Sequence, residues 1–425
     1  MYRISSRICS RRLVRLKKQR SFQKNKKGMV ITMKYDFDEQ IERRGSDCLK
    51  YDFAVERGMP ADILPLWVAD MDFRTAPCIT ERIQKDAAFG IFGYTDSKDD
   101  YFQTLSKWYE TYFNWKVEKD WLVKTPGIVF AIATAVSAFT KEGDSVLIQQ
   151  PVYYPFSSVI RNNNRKLVNN ELVLKEGRYE MDLEDFEKKI VQEKVKLFIL
   201  CSPHNPVGRV WTEEELRRIG EICLKYDVKI VSDEIHSDFV YPGIVHHVLM
   251  TVDERFQDIC IVCTAPSKTF NLAGLQVSNV WIPNPELRRI FEQKISAVGY
   301  SEVNMLGLHA CQAAYEGGRE WLEQLKEYLK GNLDFVRNYL KENIPQIKLI
   351  EPEGTYLVWL DCRELGLSEK ELEQFIAQKA KLWLDDGIIF GKAGEGFERV
   401  NIACPRATLK EALERLKKAA ATLTV

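Results

Sequence analysis

The sequence predicts an α/β fold: a large domain with a mixed, mostly parallel sheet between helices, and a smaller α/β domain at the C-terminal end. Three observations predict it. Residues 195–201 and 260–264 are short runs, apolar on both faces, as strands of a buried parallel sheet must be. Stretches of helical period separate such runs, which is the βαβ pattern. After Asn284 the pattern changes to long charged helices with a few late strands.

Taken in order, the chain is polar from Asp36 until the apolar segment Leu64-Pro-Leu-Trp-Val-Ala-Asp-Met-Asp-Phe73. Residues 76–89 have helical spacing, Gly93-Tyr94 falls in a loop, and 99–113 is a second amphipathic helix. Residues 123–125 form a strand edge, Pro126-Gly127 a turn, and 128–140 an apolar helix. Strands at 145–149, 195–201, 229–232, 260–264 and 277–282 then alternate with helices at 154–162, 183–192 and 213–226. Helices at 287–298 and 318–342 follow. Strands at 347–350 and 356–360, a helix at 369–378, a strand at 399–402 and a helix at 409–422 complete the chain. The expected division is a basic extension (1–32), an N-terminal segment packed with the small domain (33–85), the large domain (86–318) and the small domain (319–425).

The 425 residues are 45% hydrophobic and 29% charged, an ordinary globular balance that excludes a disordered or coiled-coil chain. Lys plus Arg equals Asp plus Glu at 61 each, so net charge gives no reason to expect nucleic-acid binding. That neutrality hides an asymmetry. Residues 1–34 hold twelve basic residues and no acid, leaving the body acidic. Residues 1–32 are expected to be a disordered tail or to precede a true start at Met33, with an organellar transit peptide as the alternative. The apolar run 127–139 is too short to span a bilayer. Ten scattered cysteines fit buried, reduced thiols in a cytoplasmic protein. Cys260 and Cys263 lie in a strand-like run, where residues three apart face opposite ways, so no metal site is expected.

Four segments fall at strand ends, where open α/β sheets bind ligands. Pro126-Gly127-Ile128-Val129 opens a helix, which suits a phosphate, although a glycine turn is also ordinary architecture. Cys201-Ser-Pro-His-Asn205-Pro-Val-Gly-Arg209 is a loop in which Asn205 is either a hydrogen-bond donor or a simple turn residue. Ser232-Asp233-Glu234-Ile235-His236 puts a carboxylate at the sheet edge, or merely caps a helix. Ala265-Pro-Ser267-Lys268-Thr-Phe-Asn-Leu-Ala-Gly274 sets a lysine among small and apolar neighbours. Partial desolvation there favours the neutral, nucleophilic amine.

Asn205, Asp233 and Lys268 stand 28 and 35 residues apart. With SPHNPVG, SDEIH and APSKTFNLAG around them, the chain from about Met33 resembles the fold-type I, pyridoxal 5'-phosphate (PLP) enzymes of the class I/II aminotransferase superfamily. DEIH and LPLWVADMDF are most similar to its cystathionine β-lyase branch. The resemblance implies a role for each residue. Lys268 would carry the cofactor on its amine and take the substrate's Cα proton. Asp233 would pair with the pyridinium nitrogen, Asn205 with the phenolic oxygen, and His236 would lie beside the cofactor. Tyr153, rather than Tyr154, would stack on the ring. Ile128, Val129 and Ser267 would hold the phosphate, and Tyr94 would reach the phosphate of a second subunit, which implies a homodimer. Arg399 would bind the substrate carboxylate, with Arg406 as the competing candidate. His236 and Gln276 stand where many aminotransferases have tyrosine and arginine, which points to the lyase branch. The implied reaction is β-elimination from L-cystathionine or a related L-cysteine thioether, with transamination at the same site as the alternative. The branch also implies a transcription-regulator partner, for which the sequence offers no motif.

Overall fold

The computed structural model describes residues 22–24, 30–32 and 34–423. Two units separate, Met1–Asp36 and Phe37–Val425. In the first, Phe22–Lys24 pairs antiparallel with Val30–Thr32. The remainder of 1–32, and with it the expectation of a tail or an upstream start, lies outside the described residues.

The second unit is built on a seven-stranded sheet. Its spatial order is Leu122–Thr125, Ser278–Trp281, Cys260–Thr264, Lys229–Asp233, Val195–Cys201, Ser145–Ile148 and Lys166–Asn169. Six strands run one way. Ser278–Trp281 runs against both neighbours. The cause is local: the link from Thr264 carries only short helical turns at Pro266–Thr269 and Ala273–Leu275, too little to cover a sheet face as a parallel crossover does. Val146, Ile148, Leu197, Ile199, Val231, Ile261 and Val280 are fully buried and pack against the apolar helix Ile128–Phe139. This two-sided burial is why the strands read as unbroken apolar runs.

Helix ends follow their capping residues. Thr212 and Glu215 form a reciprocal capping box at the start of Glu213–Lys225, and Asp182 caps Leu183–Gln192. Several elements go beyond the sequence reading. The edge strand Lys166–Asn169 and the hairpin Val173–Lys175 with Arg178–Glu180 are short and half exposed, so they lack a strong pattern. The helix Met305–Gly317 packs against Pro77–Phe89 and is apolar nearly all round, which hides its period. The helix expected at 369–378 is α-helical over Glu369–Gln374 and then widens into a π turn at Phe375–Lys379.

Toward the C-terminus a four-stranded antiparallel sheet has the order Lys348–Ile350, Leu357–Asp361, Phe397–Asn401, Asp385–Asp386. Helices Arg319–Asn343 and Arg406–Ala420 pack together beside it. Leu64–Pro65 pairs in parallel with Leu382–Trp383, and Asn401 N donates to Leu66 O (2.9 Å). The segment that follows, from Trp67 to Phe73, is thereby led from this sheet to the C-terminal edge of the large one.

Candidate active site

One cavity at that edge is lined by Ala69, Gly127, Ile128, Val129, Tyr153, Cys201, Asn205, Asp233, His236, Ser267, Lys268 and Gln276. A hollow between Phe239–Ile244 and the helix Arg319–Asn343 is larger, about 300 Å³ against about 140 Å³. Chemistry, not size, distinguishes the smaller one: it gathers the lysine, a buried carboxylate and a helix N-terminus.

Lys268 sits on the helical turn directly after the strand Cys260–Thr264. Its Nζ donates to Ala69 O at 2.7 Å. Burial lowers its pKa to about 8, assisted by the Arg399 charge, while Asp70 and Asp233 oppose the shift. Asp233 ends the neighbouring parallel strand. Its Oδ1 accepts from Ile235 N at 3.1 Å, but burial still pushes the carboxyl up to about 7. His236 is buried, its Nδ1 has no partner, and burial holds it well below its ordinary pKa, with the Lys268 and Arg399 charges adding to the effect. It is therefore neutral. Glu234, between them, is structural: it accepts from Ser232 Oγ (2.8 Å) and Leu249 N (3.1 Å) and contacts His246 Nε2 (2.8 Å).

Arg399, on the strand Phe397–Asn401, is buried. Its Nη1 donates to Asn205 Oδ1 at 3.0 Å and its Nη2 to Trp67 O at 2.8 Å and to the Asp385 carboxylate. The bond to Arg399 fixes the Asn205 amide, leaving the Nδ2 hydrogens as its free donors. Tyr153 lines the cavity and is tied to the same loop, its N donating to Asn205 O at 3.0 Å. Tyr154 instead lies against the Phe390 ring. Arg406 donates to Asn332 Oδ1 (2.7 Å) and stacks on Phe335, outside the cavity.

Ile128 and Val129 line the cavity and are the first residues of a twelve-residue helix, so their N–H groups have no intrahelical acceptor. Ser267 lines the cavity too, as does Gln276, in a left-handed conformation (φ 46°). Tyr94 is not brought to this cavity. It is 99% exposed and lines a separate hollow with Phe92, Tyr300 and Leu306. Among the described residues, no group of His, Cys, Asp or Glu is arranged to hold a metal ion.

Sequence reasoning missed the main-chain contributions of Ala69 and Trp67 and the acid Asp385. The first two lie in the quoted LPLWVADMDF segment, but a carbonyl contact leaves no trace in side-chain identity. Asp385 carries no motif.

The residues fit PLP, an aromatic aldehyde with a protonatable ring nitrogen and a phosphate. The His236 Nδ1, without a partner among the described residues, and the buried Asp233 carboxyl, held by one backbone hydrogen bond, suit a polar ring with a protonated nitrogen. The free N–H groups of Ile128 and Val129 call for an anion beside them.

Comparison with known proteins agrees. The family model described as Aminotransferase class I and II matches residues 61–416. Cystathionine beta-lyase PatB of Bacillus subtilis (strain 168) is 41% identical over 90% of this chain and 99% of its own. Among solved structures, cystalysin of Treponema denticola, which contains a pyridoxal 5'-phosphate cofactor, is 40% identical with a TM-score of 0.89, covering 92% of this chain and 100% of its own. The PLP-bound C-S lyase of Staphylococcus hominis is 32% identical with a TM-score of 0.85, covering 91% and 98%. With its fold, its lysine-centred cavity and these likenesses, the chain belongs to the class I and II aminotransferase family.

Proposed function

We propose that the protein is a PLP-dependent carbon–sulfur β-lyase. It cleaves L-cystathionine or a related L-cysteine thioether, with water, to a thiol, pyruvate and ammonia. The observation that carries the PLP chemistry of this reading is the meeting, in one cavity, of a lysine amine with a pKa of about 8 and a buried carboxylate that forms no ion pair among the described residues. The relatives named cystathionine beta-lyase and C-S lyase support the substrate class.

PLP, when bound, supplies an electron sink for negative charge at the substrate's Cα. Lys268 would hold it through Nζ and, once released, accept the Cα proton; a pKa of about 8 makes the amine an effective base near neutral pH. Asp233 would keep the ring nitrogen protonated. Asn205 would donate to the phenolic oxygen, and Tyr153 would cover a ring face. His236, neutral, would offer Nδ1 without adding charge. Ile128, Val129 and Ser267 would hold the phosphate. Arg399 would bind the substrate carboxylate and so present the Cα hydrogen to Lys268.

A second copy completes the site in this reading. Tyr94 stands fully exposed beside exposed Phe89, Ile91 and Phe92, an apolar face suited to another subunit, whose phosphate the Tyr94 hydroxyl would reach. The described cysteines are free thiols, in keeping with a cytoplasmic setting, and with cystathionine the thiol product is homocysteine, a step toward methionine.

The test uses PLP-loaded protein and L-cystathionine without any keto acid. Pyruvate and thiol should appear in equal amounts and vanish in Lys268→Ala. No pyruvate, but amino transfer once a keto acid is supplied, would make the protein an aminotransferase and overturn the proposal.

A further inference from the structure

The guanidinium proposed to bind the substrate carboxylate is already engaged. A guanidinium grips a carboxylate with two parallel bonds along either of two edges, and both edges use Nη2. In Arg399 both Nη2 hydrogens are taken, one by Trp67 O and one by the Asp385 carboxylate, while Nε has no partner among the described residues. A two-bond grip on an arriving carboxylate therefore requires one Nη2 acceptor to let go.

The two acceptors differ in freedom. Trp67 O is main chain, and the neighbouring residues Leu66 and Val68 are each hydrogen-bonded to Asn401 (2.9 and 2.6 Å). Asp385 is a side chain. It stands directly across from Arg399 in the pairing of Asp385–Asp386 with Phe397–Asn401. Burial raises its pKa even with the guanidinium in contact, so its charge is held at a desolvation cost. Without Asp385 the empty enzyme would contain a buried, unpaired arginine.

We propose that Asp385 is a resident counter-ion of Arg399, a positioning residue whose carboxylate gives up its Nη2 hydrogen to the carboxylate of the incoming amino acid. The inference rests on the assignment of Arg399 as the carboxylate-binding group. It follows that ligands bearing a carboxylate compete with Asp385, whereas a plain amine leaves the pair untouched.

The experiment titrates PLP-loaded protein with L-alanine, which has no leaving group at Cβ, and with ethylamine, which also lacks the carboxylate. Binding is read from the change in cofactor absorption. Asp385→Asn keeps an oxygen for Nη2 but removes the competing charge. It should tighten L-alanine by about fivefold or more, as loss of one close like charge allows, and leave ethylamine unchanged. If the ratio of the two affinities stays at the wild-type value or moves toward ethylamine, Asp385 does not exchange and the proposal fails. Asp385→Ala, read by the same ratio, serves if the asparagine variant does not load cofactor. Arg399→Gln must abolish the preference for L-alanine over ethylamine; if it does not, the assignment of Arg399 itself fails. None of these readings requires cleavage, so failure of the β-lyase proposal would show separately, as absence of pyruvate from cystathionine.

Discussion

Replacing Asp233 with asparagine should stabilise the cofactor-free protein while weakening its hold on PLP. Asp233 is buried, accepts one backbone hydrogen bond at 3.1 Å, and feels Lys268 favourably and Glu234 unfavourably. The net result is a carboxyl raised from 3.8 to about 7. The folded chain then binds more protons than the unfolded chain between those values. Stability from this group is intact below about pH 4, falls as pH rises through the window, and stays reduced above about pH 7. At about 1.4 kcal/mol per pH unit, the reduction is about 4 kcal/mol. Asparagine has the same shape and no charge to desolvate. Urea unfolding of cofactor-free protein at pH 8 should therefore find Asp233→Asn the more stable, by up to about 4 kcal/mol, with the gap closing toward pH 4. With PLP bound the order should reverse, because in the proposed arrangement the ring nitrogen would give the carboxylate its cation, and the variant should lose PLP sooner on dialysis. A cofactor-free variant no more stable than wild type at pH 8 would refute the claim that Asp233 carries a desolvated charge.

Lys268, lowered to about 8 chiefly by burial, should capture PLP in the cofactor-free protein with a rate that rises to a plateau with a midpoint near pH 8. A midpoint near that of an ordinary lysine, 10.5, would remove the basis for calling its amine activated. Lys50, with 0% of its side chain exposed, places Nζ 2.8 Å from Asp72 and 3.7 Å from Asp70. Lys50→Met should lower unfolding stability by about 1.5–3 kcal/mol, the worth of a hydrogen bond between charged groups, because Asp72 keeps Arg43 (2.7 Å) and Tyr51 (3.0 Å), and a loss below about 0.5 kcal/mol in urea unfolding would contradict a contribution from the buried pair.

Much of the site was legible because the fold puts its chemistry at strand ends. Asp233 and Lys268 each follow an apolar strand whose two-sided burial is plain in the sequence, and Asn205 follows a third. These strands are adjacent in the sheet, so residues 28 and 35 apart meet at one edge. What was not legible depends on packing over long separations. The pairing of Arg399 with Asp385 depends on the register between two short strands, and neither strand has a pattern that fixes register. The exposure of Tyr94 is likewise a property of the folded surface.

The segment Trp67–Phe73 gives physical content to what was only a sequence marker. Asn271, three residues after Lys268, donates to Met71 O (3.0 Å) and Phe73 O (3.1 Å) and accepts from Met71 N (2.9 Å). Asn401, two residues after Arg399, donates to Val68 O and Asp70 O, each at 2.6 Å. Each functional residue thus has an asparagine nearby that holds the same strap. The strap answers with its own carbonyls, Ala69 O on Lys268 and Trp67 O on Arg399. Arg43 and Lys50 fix its acids, Arg43 Nη2 meeting Asp70 at 2.6 Å and Lys50 Nζ meeting Asp72 at 2.8 Å. The distance between the amine proposed to take the Cα proton and the guanidinium proposed to bind the carboxylate is set by this strap as well as by the two sheets. That is why an apolar stretch broken by two aspartates can mark the site: the apolar residues anchor it, and the aspartates hold it in register.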